Sequence, residues 1–165
     1  MTELTVVTYS PEQTRELGII LGRLTAGGEV FLLIGNLGTG KTHLVQGIAF
    51  GLGVQEYACS PSFMIAREYN GRLKLNHLDL YRLSNTAEII DLGIEEYLRP
   101  DAVCAVEWAE KGEPLFPHDN LTIRMEHSGD DKRTIIFIPH GSLYIDLTKN
   151  LLQELKKDKI NWNYR

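Results

Sequence analysis

Along the chain the apolar residues change their spacing several times, and each change marks an element. Leu4-Thr5-Val6-Val7-Thr8-Tyr9 predicts a strand. Ser10-Pro11-Glu12-Gln13 then combines an N-capping hydroxyl, a proline at the first helical position and a capping-box glutamine, so a helix starts there and runs to about Leu24. Leu17, Ile20, Leu21 and Leu24 share one face of it, which packs on a sheet. Gly27-Gly28 turns the chain into a wholly apolar run, Val30-Phe31-Leu32-Leu33-Ile34. After a glycine-rich octapeptide, apolar residues recur at helical spacing through Phe50, and Gly51 and Gly53 end that element.

Ser60-Pro61-Ser62-Phe63 opens an extended stretch, because a residue before proline avoids helical geometry. Asn70-Gly71 is a hairpin signal joining residues 63–69 to 72–80, so an antiparallel pair stands where a plain βαβ succession would have placed a helix. Ala87 to Leu98 is predicted helical, interrupted at Gly93 and stopped by Pro100. Ala102-Val103-Cys104-Ala105-Val106 has the continuous apolar character of a parallel strand buried on both faces. Residues 121–126 and 134–138 flank the polar turn Ser128-Gly129-Asp130-Asp131 and predict a second hairpin. Leu143, Leu147, Leu151, Leu152 and Leu155 mark a last helix. The fold class is therefore α/β: a single-domain P-loop NTPase-like sheet of mixed parallel and antiparallel strands flanked by helices. Residues 1–155 are expected to form the domain and 156–165 a solvated, mobile polar tail.

A length of 165 residues with 43% hydrophobic content suits one compact domain. A formal net charge of −5 disfavours binding a long phosphate backbone by general electrostatics, so any nucleic acid is expected to be reached through a partner. Lys156, Lys157 and Lys159 form the one basic run, which as a terminal charge cluster is expected to be solvated. Cys59 and Cys104 are far apart and near no histidine at metal-ligand spacing, which argues for core packing of Cys104 rather than a disulfide or zinc site. The amino terminus lacks a basic region followed by an apolar stretch, and no segment approaches membrane-spanning length, so a cytoplasmic location is expected.

The octapeptide Gly35-Asn36-Leu37-Gly38-Thr39-Gly40-Lys41-Thr42 matches the phosphate-binding pattern GxxxxGK[ST]. Its glycines let backbone N–H groups wrap an anion, Lys41 reaches the β- and γ-phosphates, and the Thr42 hydroxyl completes a Mg²⁺ shell. A glycine-rich turn with no ligand is the plainer alternative, but the apolar strand before it and the helical pattern after it are the context that the phosphate loop requires. His43, next along the helix, is included among the nucleotide-binding candidates. Phosphoryl transfer to water also needs a divalent cation and a group that orients the attacking water. Asp79 and Glu107 are the candidate acids, and either fits either role. Glu107 ends the Ala102–Val106 strand, at the sheet edge where ligands collect in open α/β sheets, although a solvated strand-end acid is the alternative reading.

GNLGTGKT, SPSF, HLDLYR, DLGIEEYL and VEWAE occur in that order along the chain, and with this combination it resembles the TsaE (YjeE) family. The similarity runs from about Thr5 through the Arg133 hairpin. The resemblance implies a Mg²⁺-dependent ATPase that supports threonylcarbamoyladenosine formation in tRNAs reading codons that begin with adenine. It implies TsaB and TsaD as partners, with tRNA met through their complex. By motif, Lys41 and Thr42 keep their phosphate-loop roles, and Ser60 to Phe63, including Ser60 and Ser62, resembles a mobile switch segment. Asp79, Glu107 and Trp108 match positions implicated in hydrolysis. Two mild departures are Asn36 and Ser62, where the family usually has Asp and Thr; Ser62 keeps a hydroxyl able to reach Mg²⁺ or the γ-phosphate. Thr14 matches a recurrent helix threonine near the adenine, with an exposed helix residue as the equal alternative. Arg133 either approaches the nucleotide from the second hairpin or pairs locally beside the Asp-Asp turn. His77 and Tyr81 are expected to brace Asp79. A GTPase is disfavoured because no NKxD motif is present, and a small-molecule kinase because no arginine-rich lid follows the helices. A nucleotide-dependent adaptor with incidental hydrolysis is the remaining alternative.

Overall fold

The computed structural model describes residues 3–61 and 64–165. Ser62 and Phe63, part of the proposed switch segment, lie outside the described residues. Eight strands form one sheet among them: β1 (Leu4–Thr8), β2 (Val30–Ile34), β3 (Ala66–Tyr69), β4 (Lys74–Asp79), β5 (Ala102–Glu107), β6 (Asn120–His127), β7 (Arg133–His140) and β8 (Asn163–Tyr164). The helices are α1 (Pro11–Leu24), α2 (Lys41–Gly51), α3 (Thr86–Asp91) and α4 (Ser142–Lys157). The spatial order is β3-β4-β5-β2-β6-β7-β1-β8. The central four strands, β4, β5, β2 and β6, run parallel, and antiparallel strands extend the sheet on both sides. The mixed sheet and flanking helices are those the residue pattern predicts.

Capping explains where α1 begins. Ser10 is its N-cap and accepts from Gln13 N–H at 3.1 Å, while the Gln13 side chain accepts from Tyr9 N–H at 2.8 Å. β5 is buried along its whole length, as its unbroken apolar run requires, and its residues alternate between two cores. Val103 and Ala105 join Phe31, Leu33, Leu44, Ile48, Phe137 and Leu151 under α1, α2 and α4. Cys104 and Val106 join Leu32, Leu78 and Ile89 on the other face. Both cysteines are free; burial pushes the Cys104 thiol up to about 12, whereas Cys59 is exposed. No helix among the described residues is long and apolar enough to cross a membrane.

The packing of α1 against α2 depends on a feature that the leucine stripe conceals. Gly18 and Gly22 on α1 meet Gly47 and Gly51 on α2 backbone to backbone. A Cβ at Gly18 would stand 2.3 Å from Leu44 O, one at Gly47 2.0 Å from Arg15 O, and one at Gly51 2.3 Å from Ile19 O. Gly51 therefore serves helix contact as well as the end of the helix. Arg72 ties the next hairpin to this pair by donating to Thr25 O and Gly22 O, both at 3.0 Å.

Three expectations are corrected. The Asn70-Gly71 turn is wider than a two-residue hairpin, with Tyr69 opposite Leu75, because Gly71 lies against the end of α2, where a Cβ would be 2.4 Å from Leu52 O. Leu143 is 53% exposed, and Tyr144 takes the inward position, sharing a helix face with Leu147, Thr148, Leu151 and Leu155 and receiving a bond from Val30 N–H at 2.8 Å. The terminal segment is docked through its aromatic residues, while Lys156, Lys157 and Lys159 stay exposed. Trp162 is buried with its indole N–H on Asp158, β8 pairs with β1, and Thr5 and Arg165 exchange two backbone bonds of 2.9 Å. Burying a large aromatic residue there outweighs the polarity of its neighbours.

Gly47→Ala is expected to cost about 2–3 kcal/mol, since helix backbones in contact cannot make room for a methyl group without separating. Urea denaturation of the variant against wild type measures it.

Candidate functional site

Strand order reverses at β2, which has β5 on one side and β6 on the other, and open α/β sheets form ligand crevices at such a point. The phosphate-loop segment leaves β2 here. Two of its positions demand glycine: a Cβ on Gly35 would stand 2.4 Å from Met125 O, and Gly40, the N-cap of α2, has φ 93°. Thr39 draws the loop closed by donating its amide and hydroxyl to Asn36 O, at 3.3 and 2.9 Å. The first turn of α2 thereby directs its unpaired N–H groups and positive dipole end to a cavity of about 500 Å³ that Gly38, Gly40, Lys41 and Thr42 help to line.

Period-two alternation sets which side chains face α2. Glu107 continues the Val103–Ala105 face of β5, and His77 and Asp79 continue the Leu75 face of β4, with Asp79 opposite Glu107 in register. Glu107 is almost fully buried, 3% exposed. The Thr42 hydroxyl donates to its carboxylate, lying 3.0 and 3.1 Å from the two oxygens, and His77 Nε2 is 2.8 Å from Oε1. Asp79, half-buried, accepts from the Ser60 hydroxyl at 2.6 Å and from Tyr81 N–H at 3.0 Å. The Lys41 ammonium donates to Gly35 O at 2.5 Å and Asn36 O at 3.0 Å. Burial lowers the Lys41 pKa from its ordinary value, opposed by the negative charges of Glu107, Glu110 and Asp79.

Trp108 follows Glu107 with φ 57°, the one non-glycine residue with positive φ among the described residues. A bulky residue in that region is strained, and strain of this kind gathers at functional sites. The turn lays its indole face 4.1 Å from Lys41 Nζ, with the Tyr81 ring 4.8 Å away. Lys111 anchors the Tyr81 segment through bonds to Tyr81 O and Leu83 O.

Leu37, Gly38, Thr39, Gly40, Lys41, Thr42, His43, Ser60, Asp79, Glu107, Trp108, Thr14 and Arg133 all line one cavity, with the carbonyls of Gly35 and Asn36 turned to Lys41. Ser62 lies outside the described residues. Thr14 is buried rather than exposed, its hydroxyl shared with Thr8 at 2.7 Å and directed to Ser10 O at 3.2 Å. Arg133 reaches from β7 to Gly38 O at 3.2 Å while its other nitrogen gathers the hairpin carbonyls of Gly129, Asp130 and Lys132. Tyr81 braces Asp79 as expected, but His77 does not: the parallel register of β4 and β5 delivers its ring to Glu107 instead. Pro11, Arg82 and Asp131 also line the cavity. None of them is a candidate site residue from the sequence, although Pro11 marks the start of α1, Asp131 the second hairpin turn, and Arg82 sits within HLDLYR. The donors at the loop end of the cavity, two carboxylates and a hydroxyl, are hard oxygens suited to a magnesium-sized cation that retains other oxygen ligands, and the glycine cradle suits a phosphate.

The family model for Threonylcarbamoyl adenosine biosynthesis protein TsaE matches residues 8–135. The tRNA threonylcarbamoyladenosine biosynthesis protein TsaE of Bacillus subtilis is 40% identical over 152 residues, 92% of this chain and 95% of that protein. Its counterpart in Treponema pallidum is 39% identical over 129 residues, 78% and 96% of the two chains. Among solved structures, the crystal structure of Bacillus subtilis YdiB superposes with a TM-score of 0.81 at 35% identity, covering 92% of this chain and 95% of that one.

Asp79→Ala removes the acceptor for both Ser60 and Tyr81 N–H. The expected outcome is faster chymotryptic cleavage near Tyr57, Met64 and Tyr81, with global stability changed by no more than about 1–2 kcal/mol. Limited proteolysis set beside urea denaturation separates the two effects.

Proposed function

The chain belongs to the TsaE family and so to tRNA threonylcarbamoyladenosine biosynthesis, and from that premise we propose that it is a Mg²⁺-dependent ATPase acting with TsaB and TsaD. The observation that carries this reading is the junction of Thr42, at the head of α2, with the buried Glu107 carboxylate at the end of β5. A phosphate-loop hydroxyl and a strand-end acid in contact are the pair that holds a cation beside a triphosphate. ATP would lie along the cavity with its phosphates over the Gly35–Thr42 loop and its base toward Thr14 and Arg133. Mg²⁺, when bound, would neutralise charge developing on the phosphate oxygens.

Lys41 would exchange the carbonyls of Gly35 and Asn36 for phosphate oxygens, and Thr42 and Glu107 would hold the cation. Asp79 lies across the same edge, in register with Glu107 and open to the cavity, where it would align the attacking water. Its bond to Ser60 gives the segment that begins there a direct link to the state of the site. A change at Asp79 would thereby reach Ser60 and the docking of the protein on its partners, and hydrolysis would reset it. The tRNA is met through that complex, in keeping with the acidic charge of this chain.

Reconstitution with TsaB, TsaD, threonylcarbamoyl-adenylate, ATP and unmodified tRNA tests the reading. Wild type is expected to sustain modification over several turnovers, and Lys41→Ala to reduce it about 100-fold or more. Equal yields from the two would favour the adaptor reading. The kcat/KM for ATP hydrolysis is also expected to fall on the alkaline side at a pH below the ordinary lysine value of 10.5, since the lowered pKa of Lys41 means it loses its proton earlier. A pH profile of wild type, run with a control for unfolding, checks this.

A further inference from the structure

His77 is a fully buried imidazole between the apolar Leu75 and the acidic Asp79 on the α2 face of β4. Its Nε2 is 2.8 Å from Glu107 Oε1, while its Nδ1 is buried with no hydrogen-bond partner among the described residues. An ionised carboxylate only accepts, so the hydrogen-bond network assigns the proton to Nε2 and leaves Nδ1 as the bare acceptor. A buried polar atom without a partner is a cost that a leucine or phenylalanine would avoid. The imidazole returns one directed donor. Glu107 has two oxygens and the Thr42 hydroxyl supplies one proton between them, at nearly equal distances, so the threonine alone does not select a carboxylate orientation. The bond from His77 distinguishes the oxygens, engaging Oε1 and leaving Oε2 the less encumbered. Unlike lysine or arginine, imidazole can donate here without a fixed positive charge that would compete with a cation.

We propose that His77 is a positioning residue that fixes the Glu107 carboxylate, orienting it toward Thr42 and the cation that the pair would hold. The assignment rests on the proposed Mg²⁺-nucleotide site. It extends that site by a second layer on β4, of the kind that orients ligating carboxylates in metal centres.

The test uses His77→Phe, His77→Gln and wild type, with Mg²⁺ titrated against binding of a fluorescent N-methylanthraniloyl ATP and, separately, against ATP hydrolysis. With EDTA all three are expected to bind the nucleotide alike, because the bond of His77 is to Glu107 and not to Lys41 or the loop amides. His77→Phe is expected to raise the Mg²⁺ needed for half-maximal effect about 10- to 100-fold and to lower kcat more than it changes the KM for ATP. His77→Gln, whose amide nitrogen can stand close to the position of Nε2, is expected to recover most of the loss. A folded His77→Phe with an unchanged Mg²⁺ requirement overturns the proposal, as does a His77→Gln as impaired as His77→Phe. If the phenylalanine variant does not fold, His77→Gln and His77→Asn decide the matter, since the shorter asparagine amide falls short of Glu107 and equal behaviour of the two overturns it. Wild type that binds nucleotide with Mg²⁺ but does not hydrolyse it would remove the ATPase reading, and the His77 assignment would then stand or fall on the binding titration. Wild type without Mg²⁺-dependent binding would overturn both.

Discussion

Placing the carboxylate of Glu107 out of water, at the end of a strand buried on both faces, is the constraint that organises this molecule. A buried acid is tolerable only where donors meet it. Here they come from two other elements, Thr42 on α2 and His77 on β4, so the phosphate-loop helix and two central strands share one solution. For Thr42 to reach Glu107, α2 must lie at a set height over the sheet, and the backbone contact of Gly18 and Gly22 with Gly47 and Gly51 lets α1 lie directly against α2 there. The electrostatic and steric demands are thus met by the same placement of one helix.

Asp79 is the counterpart with the opposite environment. It lies beside Glu107 in register but is half-buried, and its partners belong to the segments that flank the cavity rather than to the core. One sheet edge therefore presents an inward acid committed to the phosphate-loop helix and an outward acid tied to Ser60 and Tyr81. Directly after Glu107, Trp108 takes a left-handed backbone conformation and covers Lys41 with its indole. The strained turn and the tilted Tyr81 ring against Trp108 frame a buried ammonium beside the loop carbonyls, where burial and nearby acids act on it in opposite senses.

Much of this was legible in the residues because the signals were local. Ser10-Pro11 and Gln13 set the start of α1, the unbroken run of β5 marked a parallel strand, and GxxxxGK[ST] located the cradle. The misreadings share a cause. Polar neighbours made the terminal segment look solvated, yet Trp162 and the pairing of β8 with β1 dock it; a leucine stripe promised Leu143 to the core, yet Tyr144 is the residue that turns inward. The Asn70-Gly71 turn widened because the end of α2 lies against Gly71. In each case a distant element decided what local preference had left close to balanced.

By itself the sequence determined the α/β class and the strand-loop-helix that carries Gly35 to Thr42, because capping, periodicity and motif spacing act over a few residues, and it marked Asp79 and Glu107 as candidate acids. Only the tertiary structure decided that His77 serves Glu107 rather than Asp79, that Thr14 and Arg133 reach the cavity, and that four glycines hold α1 against α2. Those outcomes depend on which strand lies beside which, in what register, and on how closely two helices approach. Such distances arise from contacts between residues far apart in the chain, and the spacing along it does not encode them.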